Sequence, residues 1–173
     1  MKTNLLCGVL AAVLAATCSS GCSRPRSAKA AAMGETVGVG GVSYVVMDSQ
    51  WRADLAGATG PRVPKNRFLV LRISATNLGR ETINVPLLNL IDSKGNGHLE
   101  EQSGDGIEGW LGVLRTIAPG RTAEGAILFD VRPGEYNLEV VDGGDLENQQ
   151  SRHIQIPYRI EEPVKVPSPG LPQ

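Results

Sequence analysis

Beyond position 22 the 173-residue chain has no cysteine: Cys7, Cys18 and Cys22 are the whole complement. For the body of the protein this excludes a disulfide framework, a catalytic thiol and a thiolate metal centre. Aromatic residues make up only 4%, and histidine occurs twice, as His98 and His153, which leaves few bases for proton transfer. Positive charge is in no surplus, with 17 Lys and Arg against 18 Asp and Glu, so no nucleic-acid partner is expected. A Gly-x-Ser-x-Gly nucleophile elbow is missing as well. Together these gaps argue against an enzyme. What is plentiful is glycine, at 21 residues, and proline, at 11, a balance that suits short strands and turns over long helices. With 41% hydrophobic and 20% charged residues, the chain has the composition of a single globular domain.

The N-terminus reads as a targeting segment. Lys2 provides a short positive region and residues 5–16 form an uncharged apolar run, too short to span a bilayer that needs roughly 20 residues of helix. The stretch Gly21-Cys22 resembles the lipobox of bacterial lipoproteins, in which a small residue precedes a cysteine that receives diacylglycerol. That resemblance implies a signal-peptide helix over residues 1–21, lipidation at Cys22, and a membrane-bound, extracytoplasmic protein. Ser19 departs from the pattern, because leucine is commonest three residues before the cysteine. Cys18 behind the β-branched Thr17 is the competing lipidation site, and Ala28-Lys29-Ala30 offers a cleavage site for ordinary secretion. Residues 23–33 then form a tether carrying Arg24, Arg26 and Lys29, basic side chains that favour anionic lipid headgroups.

From about residue 34 the hydrophobic period is two. Val42, Tyr44 and Val46 share one face of a strand; Leu69, Leu71, Ile73 and Ala75 share another; Ala123, Gly125, Ile127, Phe129 and Val131 a third. Tyr136, Leu138 and Val140 continue after the turn residues Arg132-Pro133-Gly134-Glu135, which predicts a hairpin between these last two runs. In residues 82–92 the apolar phase shifts at Pro86, from Ile83 and Val85 to Leu88 and Leu90, the mark of a bulge or of a strand crossing between sheets. Ile154, Ile156 and Tyr158 predict a last strand held to an edge by Pro157. Seven or eight strands at this spacing predict an all-β, antiparallel, immunoglobulin-like β-sandwich over residues 34–160. Residues 161–173 are proline-rich and expected to be disordered. Residues 52–66 and 104–120 are long for connections, and loops of that length often carry function.

Four pieces of the body belong together: residues 64–79 with Phe68, Asn77 and Gly79, the run Leu90-Ile91-Asp92-Ser93-Lys94-Gly95, the set Pro119-Gly120, Gly125, Phe129 and Val131, and the opening Gly34-Glu35-Thr36-Val37. By these pieces the body resembles an uncharacterised family of bacterial surface lipoproteins with an immunoglobulin-like sandwich and, more remotely, a secreted mycobacterial immunogenic protein. The resemblance implies a fold and a location, with no activity attached.

Candidate chemistry is sparse. Asp92, Asn96 and Gly97 sit as in a calcium loop, but Lys94 and Ser103 occupy ligand positions, so a hairpin turn with positive φ at Asn96-Gly97 is the better reading and no metal or other cofactor is expected. His98 and Glu100 would share a strand face, two ligands without a third. Glu100-Glu101 and Glu161-Glu162 are neighbours in sequence, which places each pair's members on opposite faces of a strand. Trp110 and Leu111, in a long loop, and Trp51, at a strand end, are candidates for docking a partner, an unidentified envelope protein or surface ligand; equally, each tryptophan fits as a plug of the sandwich core. The expected function is a non-catalytic binding or scaffolding module anchored in the envelope. A secreted enzyme using His98 or His153, or an inert spacer or stress-protective surface protein, are the alternatives.

Overall fold

The computed structural model describes residues 29–143 and 149–159; the signal segment, Cys22 and the proline-rich tail lie outside them. Thirteen strands follow one another: β1 (Ala31–Ala32), β2 (Val37–Val39), β3 (Val42–Arg52), β4 (Leu55–Gly57), β5 (Gly60–Arg62), β6 (Arg67–Asn77), β7 (Ile83–Val85), β8 (Asn89–Ile91), β9 (Gly97–Leu99), β10 (Arg115–Ile117), β11 (Thr122–Val131), β12 (Tyr136–Val141) and β13 (Ser151–Ile156). No helix occurs among the described residues. The count exceeds the expected seven or eight because eight of these strands are only two or three residues long, too short for a period to show in the sequence.

One sheet has the order β11-β6-β3-β2 and the facing sheet β1-β13-β12-β8-β9, with β7 and β10 paired between them at one side. The period-two positions point where alternation requires. Leu69, Leu71, Ile73 and Ala75 of β6 meet Ile127, Phe129 and Val131 of β11 and Val42, Tyr44 and Val46 of β3, and across the core lie Leu90, Leu138, Val140, Ile154 and Ile156, all buried. Each of the Val, Leu, Ile and Phe side chains among them contributes roughly 1.5–3 kcal/mol by leaving water. The phase shift at Pro86 is a crossing: β7 pairs with β10, and three residues later β8 joins the other sheet.

Three local expectations are corrected. β11 and β12 do not pair; β11 pairs with β6 and β12 with β8 and β13, so residues 132–135 form an arch between sheets. The Tyr136 hydroxyl donates to the Arg132 carbonyl at 2.7 Å and fixes the arch, while Val131 and Tyr136 both face the core from opposite sides, a pattern that alternation alone cannot tell from a hairpin. β13 ends at Ile156, before Pro157, and is not an edge, because β1 pairs with it in parallel at Ala31–Ala32. The sheet therefore begins inside the stretch expected to be tether. In the β8–β9 turn the glycine with positive φ is Gly95, at 83°, rather than Gly97.

Asn77 shows why an Asn-x-Gly sequence ends β6. Its side chain is fully buried, donates to the carbonyls of Glu81 (2.7 Å) and Ile117 (2.8 Å), and accepts from the Gly79 amide (2.9 Å). One side-chain amide thus ties the β6–β7 connection to the end of β10 at that end of the sandwich.

Candidate functional site

The bulge in β3 determines which side chains reach the surface. Pairing with β6 shifts between Val46 and Asp48, so the inward residues change from even (Val42, Tyr44, Val46) to odd numbers and Asp48, Gln50 and Arg52 turn to the outer face. Two clefts result. The first, about 520 Å³, is lined by Met33, Asp48, Ser49, Trp51, Arg67, Tyr158 and Arg159 at the end of the sandwich where β13 stops. Trp51 is half-buried; its ring meets Tyr158 edge-on at 5.7 Å and Tyr136 at 6.5 Å, and its indole N–H is buried with no acceptor. Tyr158 is 39% exposed. Arg67 and Arg159 are exposed and form no ion pair among the described residues.

The second cleft, about 400 Å³, lies on the outer face and is lined by Asp48, Gln50, Arg52, Arg72, Ile107 and Glu108 among others. Here Gln50 Nε2 donates to Asp48 Oδ2 at 2.9 Å and Arg52 Nη2 to Gln50 Oε1 at 3.0 Å, a ladder along one strand face that engages its own charges.

Trp110 and Leu111 sit elsewhere. Residues 109–111 run along the outer edge of β11, with the Leu111 amide donating to the Ala126 carbonyl (2.9 Å) and the Ala126 amide to the Gly109 carbonyl (2.8 Å). The Trp110 ring packs so closely on Gly104 that any side chain there would collide with it, and its N–H is buried without a partner. Leu111 is half-buried against the core, while Leu114, three residues on, is 90% exposed. The structure therefore does not bring the two tryptophans into one site.

The long segments 52–66 and 104–120 form a cover. β4 and β5 make a flap over the outer face, where Leu55, Phe68, Val70, Ala126 and Leu128 form a second apolar cluster with Ile107 against it. The flap is clipped by Arg62, which pairs with Glu101 (2.9 Å), donates to the Ser103 carbonyl (2.8 Å) and lies over the Phe68 ring, and by Asp105, which accepts from the Ala58 amide at 3.0 Å.

A charged group that sequence reasoning missed lies inside. Glu100 and Arg115 form an ion pair with side chains 0% and 1% exposed. Glu100 also accepts from the Leu88 amide, and Arg115 donates to the carbonyls of Gly112 and Pro86, so every arm is used. Burial pushes the Glu100 carboxyl up, opposed by the hydrogen bond and charge of Arg115. The Tyr44 hydroxyl is likewise pushed up by burial and donates to the Val141 carbonyl at 2.7 Å. Sealed this way, the pair stabilises a fold junction and cannot touch a solute. Its signal was Arg115 standing two residues before the buried Ile117, on the same strand face.

The remaining titratable candidates are scattered. His98 Nε2 lies 3.5 Å from Asp92 Oδ2 and edge-on to Tyr136, and His153 Nε2 lies 3.9 Å from Glu139. Asp92 is consumed by its own turn: its carboxylate accepts from the Asn96 side chain and from the amides of Asn96 and Lys94, which hold it well below the usual carboxylate range. Among the described residues no group of three or more His, Cys, Asp or Glu is placed to hold a metal ion.

Solved structures share the architecture. The yjhA protein of Bacillus subtilis superposes with a TM-score of 0.58 at 14% identity, over 73% of this chain and 98% of that one. A candidate lipoprotein of Bacillus subtilis strain 168, ycdA, gives 0.53 at 16%, over 73% of this chain and only 39% of its own. A functionally unknown protein of Listeria monocytogenes EGD-e gives 0.54 at 12%, over 72% and 82%. Identities this low speak for the fold alone. The resemblance to a mycobacterial protein finds no support here, and no curated protein matches the sequence. A family model covers residues 31–150, from the first strand to the start of the last, and by that match the chain belongs to DUF4352, a domain family of unknown function.

Proposed function

We propose that the protein is a bacterial lipoprotein, anchored outside the cytoplasm through Cys22, whose sandwich binds or scaffolds another component of the envelope without catalysis. The observation that carries this reading is Gly21-Cys22, behind a twelve-residue apolar run and nine residues before the first strand at Ala31. Nine extended residues reach about 30 Å, so an acyl group on Cys22 would hold the domain close to the bilayer. Several acyl chains, unlike one, anchor stably. The candidate-lipoprotein description of a structural neighbour supports the location. The non-catalytic part rests on the internal ion pair, which is closed to solutes, and on the distribution of the two imidazoles over separate surface pairs.

Mass spectrometry of the membrane fraction tests the anchor. The mature chain is expected to begin at Cys22 and to carry diacylglycerol, and Cys22→Ser is expected to abolish the modification. An unmodified chain beginning near Ala31 would sink the proposal. Crosslinking on whole cells tests the binding role, since a spacer would capture no specific partner.

A further inference from the structure

We infer that the cleft beside Trp51 is a binding site for an acidic saccharide, one that carries a carboxylate or a phosphate on a pyranose ring. This rests on the reading of the domain as a binding module and names what it binds. The charge balance comes first. Arg67 and Arg159 have no ion-pair partner among the described residues, and Asp48 is the one carboxylate in the lining, so positive charge is in excess there. Two free guanidinium forks match the paired oxygens of a carboxylate or phosphate.

The wall supplies the second requirement. Trp51 and Tyr158 stand edge-on at 5.7 Å, and Tyr158 remains 39% exposed although it is large and apolar. An aromatic face carries negative charge density, which attracts the weakly positive C–H groups on the flat side of a pyranose. An acidic peptide offers the anion without that flat C–H face, and a neutral sugar the reverse. At about 520 Å³ the cleft has the size of a small-molecule site. Its parts come from separate segments: the bulged end of β3, the start of β6, Met33 after β1 and the chain leaving β13, so the β3 bulge and the stop at Pro157 are what build it. The outer cleft differs in charge: its lining sets two carboxylates, Asp48 and Glu108, against Arg52 and Arg72, whereas the Trp51 cleft has Asp48 alone against Arg67 and Arg159.

Isothermal titration of the mature, detergent-solubilised protein with four probes tests the inference: trigalacturonate, glucose 6-phosphate, maltotriose and triglutamate. At least one of the two acidic sugars is expected to bind. Trigalacturonate alone assigns a carboxylate as the recognised anion, glucose 6-phosphate alone a phosphate. Arg67→Gln and Arg159→Gln are each expected to weaken binding about tenfold. Tyr158→Ala should also weaken it, and all three exposed substitutions should leave the thermal midpoint in place. Binding of triglutamate or maltotriose as tight as that of the acidic sugars overturns the inference, as does silence from both acidic sugars. The mass of Cys22 in the same sample separates the two readings. An acylated protein that binds neither sugar refutes the saccharide site alone, and a sugar-binding protein with free Cys22 refutes the anchor alone.

Discussion

The two faces of β6 and β11 are built from the same strands and protected in opposite ways. Inward, Leu69, Leu71, Ile73, Ile127 and Phe129 press against a second sheet, beside a junction closed by the buried Glu100–Arg115 pair. Outward, Phe68, Val70, Ala126 and Leu128 are covered only by a flap of two three-residue strands and a loop, held by the Arg62–Glu101 pair, which water reaches at 23% and 36% exposure. An ion pair in low dielectric is hard to lose by halves, whereas a screened one contributes little. Layers of one sheet should therefore fail separately.

The largest effect is expected at the inner junction. Arg115→Ala leaves Glu100 buried without its partner, and Glu100→Ala strands the guanidinium; either should cost about 3–5 kcal/mol, read as a fall in the urea midpoint. Changing both together to apolar residues of similar size should recover much of that loss. Beneath the flap, Leu128→Ala should cost less, about 2–3 kcal/mol, because the hairpin can settle into the void. A loss at Leu128 equal to that at Arg115 would mean that the flap is as rigid as the opposing sheet, and the comparison would break.

The inner face was legible in the sequence because a half-buried strand alternates. The outer face was legible too, though in another form: Phe68-Leu69-Val70-Leu71 and Ala126-Ile127-Leu128-Phe129 are unbroken apolar runs, which a strand shows only when both faces are covered. Read as simple alternation, those runs hide the flap, and residues 52–66 then look like a loop in search of a function. The Asn77-x-Gly79 turn and the crossing at Pro86 were readable because Asn, Gly and Pro act locally. The arch at residues 132–135 was not, since pairing partners are chosen by contacts far away in sequence. Trp51 was singled out, but its neighbours were not: Arg67, Tyr158 and Met33 come to it from other segments, and only the fold brings them together.

A smaller effect is expected at the clip. Arg62→Ala removes a screened ion pair, a hydrogen bond to the Ser103 carbonyl and the cation over the Phe68 ring. The loss should be about 1 kcal/mol globally. Hydrogen exchange sharpens the comparison: amides of β4 and β5 should exchange faster in the variant while those of β6 facing the inner core keep their protection. Uniform acceleration would show that the flap and the sandwich open as one unit.

The smallest effect belongs to the β8–β9 turn, where a partly exposed carboxylate plays the part that Arg62 plays for the flap. Asp92 accepts from the Asn96 side chain, the Asn96 amide and the Lys94 amide, and these bonds hold its folded-state pKa well below the ordinary carboxylate value of about 3.9. A depressed pKa means that the folded state prefers the ionised form. The stabilisation is thus fully present above pH 4 and is lost as the pH falls below it toward the folded-state pKa. Asp92→Asn keeps one acceptor oxygen and removes the charge. The wild type should therefore be the more stable protein at pH 6, and its lead in urea midpoint should shrink steadily as the pH is lowered from 4 to 2. A lead that is the same at both ends would assign the turn to shape alone, with Gly95 at positive φ sufficient to set it. A shrinking lead would show that charge-assisted bonds at the rim of the sandwich hold its short strands in register, as the sealed pair does at the junction but open to the pH of the medium.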